Sequence, residues 1–140
     1  QGFLYGSDTR GYAPYFPGFG DQVSPVLEIP TTLPTLDELL GFNGCGPEDF
    51  TDLILKRLES AAPQVLTIHA EVEGGPYRRE FARLLRRCRD RGVEFFRLED
   101  WARELMERPE SIPIAPVRLI RLPGRAGRVS GQGPLEDGRS

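Results

Sequence analysis

His69 is the only histidine in the 140-residue chain, and its setting is suited to proton transfer. It closes the apolar run Gln64-Val65-Leu66-Thr67-Ile68 and is followed by Ala70-Glu71-Val72-Glu73-Gly74. An imidazole titrates near neutral pH, so one held at a strand end can act as a general acid or base. In parallel α/β folds the loops that leave the carboxyl ends of strands converge on the active site. Position alone leaves His69 open between that role and a structural histidine bonded to a neighbouring loop. Glu71 and Glu73 alternate with Val72; a continuing strand would point both carboxylates one way, about 6.6 Å apart along the backbone. They read as an acid/base pair, as ligands with His69, or as solvated loop acids, the last being the commoner situation. Asp8 and Arg10 follow a short strand. They read either as a turn closed by Gly11 or as an active-site carboxylate beside an anion-binding guanidinium.

The elements that must position these residues follow from local pattern. Phe3-Leu4-Tyr5 and Val26-Leu27-Glu28-Ile29 are strand candidates, separated by a loop rich in Gly, Pro and aromatics. Thr35 and Glu38 fit a capping box opening a helix that Gly41 would stop. Gly46-Pro47-Glu48-Asp49 opens the next helix, with Pro at its first position and acids at the positive end of the dipole. Gln64–His69 is the clearest strand signal. Tyr77, Phe81, Leu84, Leu85 and Cys88 line one face of a helix ended by Gly92, and seven arginines from Arg78 to Arg91 lie off that face. Val93–Phe96 reads as a strand and Leu98–Met106 as a last helix around Trp101 and Leu105. The alternation of helix and strand from 47 to 107 argues for an α/β arrangement with parallel strands.

Composition narrows the function classes. Residues 1–107 carry 12 basic and 18 acidic side chains, a net −6, whereas residues 108–140 carry 6 and 3, a net +3. No concentrated basic face results, which excludes a nucleic-acid binder. Cys45 and Cys88 do not make a disulfide framework and suit reduced thiols in the cytoplasm. No apolar run approaches the ~18 residues of a membrane span. Residues 108–140, rich in Arg, Gly and Pro and without an aromatic residue, read as a flexible tail on a body spanning 1–107.

Four segments in one order carry a more specific resemblance: Ser7-Asp8-Thr9-Arg10-Gly11, Ile29–Glu38, Glu48-Asp49-Phe50 and Leu66–Gly74. Together they resemble the polysaccharide deacetylase (NodB-homology) superfamily over about Gly2 to Trp101. The resemblance implies the C-terminal portion of a distorted (β/α) barrel, incomplete here. It also implies a hydrolase removing an N-formyl or N-acetyl group from a lipid-linked or glycan amino sugar, such as a formamido-arabinose in lipid A modification. By position in the motif His69 is the general acid that protonates the leaving amine, Asp8 the acid that pairs with it, and Arg10 and Glu71 contacts to the sugar or its phosphate. One divalent metal, usually zinc, is implied, with ligands upstream of Gln1; this chain alone would then be inactive. The expected location is the cytoplasm, at the cytoplasmic face of the inner membrane if the protein associates peripherally. The competing expectations are a deacetylase of another N-acylated glycan, a non-catalytic module docking through its Arg-rich helix, and a glycoside hydrolase using Glu71 and Glu73.

Overall fold

A computed structural model describes residues 2–40, 45–60 and 62–135. The expected helix stop at Gly41 lies outside the described residues. The described chain is of mixed α/β class, with two sheets and four α-helices. It divides into two compact units, one built from residues 1–32, 96–121 and 127–140, the other from 33–95 and 122–126.

The first unit is organised by strands: β1 (Tyr5–Gly6), β2 (Phe16–Phe19), β3 (Gln22–Val23), β4 (Leu27–Glu28), β5 (Ile114–Ile120) and β6 (Val129–Gln132), with helix α4 (Leu98–Leu105). β1 pairs parallel with β4, and the other four run in the order β3-β2-β5-β6. β2 and β3 form a hairpin in which Gly20 takes φ +62°, the left-handed conformation that a tight turn asks of glycine. β2 then pairs parallel with β5, setting Phe16 against Ile114, and β5 pairs antiparallel with β6. Tyr15, Leu27, Ile29, Ala102 and Ala115 are fully buried. Phe96 meets Trp101 edge to face, ring centroids 5.6 Å apart. These pairings correct the reading of residues 108–140 as a tail: 114–120 and 129–132 are strands. Composition undercounted what this segment can bury, because a strand gains its stability from partners far away in sequence.

The second unit is organised by helices α1 (Leu36–Leu39), α2 (Pro47–Arg57) and α3 (Arg78–Asp90). α2 starts as expected, with Pro47 at its first turn and the Gly46 N–H donating to Asp49 Oδ2 at 2.9 Å. α3 ends at Gly92, φ +70°: the Val93 N–H reaches the Cys88 carbonyl and the Gly92 N–H that of Arg89, a Schellman closure. Leu33, Leu36, Phe50, Ile54, Leu55, Leu84 and Cys88 form the core, with Tyr77 and Phe81 packed against it. Leu85, expected on the same face, is 40% exposed. Asp52 of α2 pairs with Arg83 and Arg87 of α3, and Arg78, Arg79, Arg86, Arg89 and Arg91 are exposed.

Two expected strands are absent. Residues 63–69 and 93–97 are irregular, without ladder pairing among the described residues. A strand exists only when a neighbour supplies successive hydrogen bonds; the Leu33 N–H donates to the Val65 carbonyl at 3.0 Å, yet the segment is not part of a ladder. Phe95 and Phe96 are more than half exposed, so 93–96 lacks a buried face as well. The helix–strand alternation expected over 47–107 therefore reduces to helices joined by irregular connections, and the parallel pairing occurs in the other unit.

Candidate functional site

His69 stands where the irregular run 63–69 gives way to the turns of 70–77. Its carbonyl accepts the N–H groups of Val72 and Glu73, each at 2.9 Å, and its own N–H donates to Glu73 Oε2 at 2.7 Å. The two bonds between residues 69 and 73 close a ring that fixes the backbone under the imidazole. Gly74 and Gly75 let the turn tighten: a Cβ on either would overlap the carbonyl oxygens of Ala70 and Glu71 respectively. Glu73 is buried, 1% exposed, whereas Glu71 is exposed. This corrects the alternation that would have aligned the two carboxylates: the chain turns at residue 70, and the His69 N–H draws Glu73 inward. An acid/base pair of Glu71 and Glu73 has no support in this geometry.

The His69 ring is partly open, its side chain 35% exposed, and Nδ1 lies 3.6 Å from Oδ1 of Asp37 in the first turn of α1. That separation is beyond hydrogen-bond length, and Nδ1 has no hydrogen-bond partner among the described residues. A charged ring and the carboxylate attract at this distance without a bond to lock the tautomer. α1 presents Asp37 because Thr35 begins the helix in extended conformation, its N–H donating to Glu38 Oε2 at 3.1 Å. Only this half of the capping box is made, since Thr35 Oγ1 is buried without a partner among the described residues.

Asp8 and Arg10 sit in the first unit, whereas His69 belongs to the second. Asp8 is exposed and opens onto a cleft of about 560 Å³ with Ser7, Thr9, Glu28 and Ser130. Behind it Glu28, 5% exposed, accepts the N–H groups of Asp8 and Thr9 at 2.7 and 2.8 Å and the Thr9 hydroxyl at 2.9 Å, all on Oε1. Thr9 Oγ1 also lies 3.0 Å from the Tyr15 hydroxyl. Burial pushes the Tyr15 phenol up, the Thr9 bond pulls it partly back, and the Glu28 charge adds to the rise. Arg10 is held by its backbone, donating to the Ser130 carbonyl and accepting from the Gln132 N–H at 2.7 Å. Sequence reasoning missed Asp37 and Glu28. The signals were there: an acid beside a capping residue, and a lone glutamate inside the apolar run 26–29.

Among the described residues no group of three or more His, Cys, Asp or Glu side chains is gathered so as to hold a metal ion. Cys45 and Cys88 are both unbridged. No helix among the described residues is long and apolar enough to cross a membrane.

No family model matches the chain. Curated relatives do. A probable 4-deoxy-4-formamido-L-arabinose-phosphoundecaprenol deformylase of Wigglesworthia glossinidia brevipalpis is 36% identical over 131 residues, covering 93% of this chain and 44% of the relative. The enzyme of the same description from Shewanella sediminis is 33% identical over 135 residues, covering 96% and 42%. The chain thus spans less than half the length of these relatives. The likeness to these deformylases runs along nearly all of the chain's own length.

Proposed function

We propose that this chain, a homologue of formamido-arabinose-phosphoundecaprenol deformylases, is the C-terminal part of an enzyme that removes the N-formyl group from a lipid-linked 4-formamido-arabinose in lipid A modification. The support is its similarity to those relatives together with one geometric observation: a lone histidine, anchored at its backbone by Glu73, with its ring partly open and facing the carboxylate of Asp37.

In amide hydrolysis water adds to the formyl carbon, the C–N bond breaks, and formate departs. The leaving nitrogen needs a proton, because an amide anion is too poor a leaving group. The His69 imidazolium supplies it from Nε2, while Nδ1 stays beside Asp37. By position in the motif Asp8 is assigned as the acid that pairs with the histidine, and Arg10 and Glu71 as contacts to the sugar or its phosphate. The divalent metal that the superfamily resemblance implies, zinc by its usual choice, does not fit the residues described here. Its ligands, and the strands that would complete a distorted (β/α) barrel, are proposed to lie in polypeptide outside this chain. This chain alone is then inactive. The exposed arginines of α3 suit peripheral attachment to anionic lipid at the cytoplasmic face of the inner membrane.

The test uses the longer polypeptide that contains this chain. His69→Ala is expected to lower formate release on the order of 10²-fold or more with metal content unchanged. Retained turnover would make His69 structural, and release of acetate in place of formate from the matched substrates would make the enzyme a deacetylase. Asp37→Asn compared with Asp8→Asn shows which carboxylate serves the histidine: the larger loss of turnover identifies it.

A further inference from the structure

We infer that Arg125 is a positioning residue for His69, acting through Glu38 to hold α1 so that Asp37 faces the imidazole. The effect on turnover rests on the proposed catalytic role of His69; the effect on the ring does not.

α1 is a single turn of four residues, too short to persist by its own propensity. Something outside it must fix where Asp37 points, and residues 122–126 of the same unit do so at two places. Glu38 is 4% exposed, and its Oε1 lies 3.4 Å from the Arg125 guanidinium while Oε2 caps the helix start at Thr35. Gly124 takes φ +78° and packs directly on the Glu38 carbonyl, where any Cβ would overlap the oxygen. Both the conformation and the space demand glycine, so the segment grips the helix backbone as well as its buried carboxylate. Asp37 is the next residue along, and its carboxylate is the one at 3.6 Å from His69 Nδ1. A nearly buried acid paired with a half-exposed arginine is sensitive to loss of the cation, since Glu38 has few routes to water. Arg125 belongs to the stretch that composition assigns to a tail, which is why nothing in the sequence attaches it to the histidine.

The imidazole reports the outcome directly. His69 is the sole histidine of the chain, so its ring Cε1–Hε1 signal in a carbon–proton NMR spectrum needs no assignment. In the 140-residue chain Asp37→Asn is expected to displace that signal. Arg125→Ala displaces it too, adds nothing in the Asp37→Asn background, and is largely reversed by Arg125→Lys. That non-additivity is the mark of one residue working through another. An unmoved signal in Arg125→Ala, or displacements that simply add in the double variant, overturns the inference. Both side chains are about half exposed, and circular dichroism confirms that each variant folds; Arg125→Gln replaces any that does not. In the longer enzyme Arg125→Ala should lower kcat on the order of tenfold with KM little changed, the scale of a misplaced catalytic group. A raised KM with kcat kept would place Arg125 on the substrate and end its positioning role. A displaced ring with unchanged kcat would instead remove the catalytic role of His69 and leave the clamp standing.

Discussion

The two units of this chain solve the placement of an acid in opposite ways. In the strand unit Glu28 is sunk behind the cleft and loaded with three donors on one oxygen, so it organises the backbone of residues 8 and 9. In the helical unit Asp37 is left nearly half exposed and unbonded beside a titratable ring. A carboxylate saturated with hydrogen bonds is a structural post, whereas one left free to respond to a proton is suited to chemistry. The comparison separates residues that hold a site together from those able to work in it; Glu73 stands between the two, its Oε2 accepting the His69 N–H while its buried Oε1 has no partner among the described residues.

The contrast can be broken by substitution. The largest effect is expected from Phe50→Ala in the helical core, about 4 kcal/mol of lost stability by chemical denaturation, because Phe50 is fully buried. A change that left the denaturation midpoint in place would show that the core does not hold that unit. Next comes Glu28→Ala, which orphans the donors of Asp8 and Thr9 and should cost about 3 kcal/mol, whereas Glu28→Gln keeps an accepting oxygen and should cost about 1 kcal/mol. Equal costs for the two would contradict the picture of Glu28 as a hydrogen-bonded post. Smaller still is an alkaline effect. Burial holds the Cys88 thiol and the Tyr15 phenol above their ordinary ranges, with Arg91 pulling the thiol partly back. As pH rises through those ranges the unfolded chain ionises and the folded chain resists, so stability falls on the alkaline side. At neutral pH the same burial should make Cys88 react with iodoacetamide more slowly than half-buried Cys45, and Cys88→Ala should blunt the alkaline loss. The smallest change is expected for Glu99→Gln. Arg103 and Arg97 hold that carboxyl below its usual range, yet its side chain stays 39% exposed, so removing it should leave the thermal midpoint unmoved within error.

The helical unit was the legible one. Thr35, Pro47 and Gly92 announce helix ends through chemistry confined to a few residues, and Phe50, Ile54 and Leu84 announce buried faces by spacing. Strands offered no such local proof. Val65–Ile68 has the composition of a strand and finds no ladder, while Ile114–Ile120, interrupted by Pro116 and Arg118, makes one because residues 16–18 and 129–132 lie beside it. His69 stood out as a singular residue at the end of an apolar run, but its partner could not be read: pairing with Asp37 spans 31 intervening positions and depends on the turn of α1. Asp8 and Glu71 were singled out by motif, and their roles stay proposals. Glu28 escaped notice because one acid in a strand looks like an exposed edge until three donors are seen to meet it.

The parallel pairing of Phe16 with Ile114 has a consequence for biosynthesis. Chains emerge from the ribosome with the amino end leading, so β2 waits for nearly a hundred further residues before β5 exists to receive it. Meanwhile the stretch from Leu33 to Phe95 is already complete enough to collapse on its own nearby contacts. Helices would thus set first and the sheet last, leaving an unsatisfied strand edge during translation that a chaperone or a slowed ribosome would shelter.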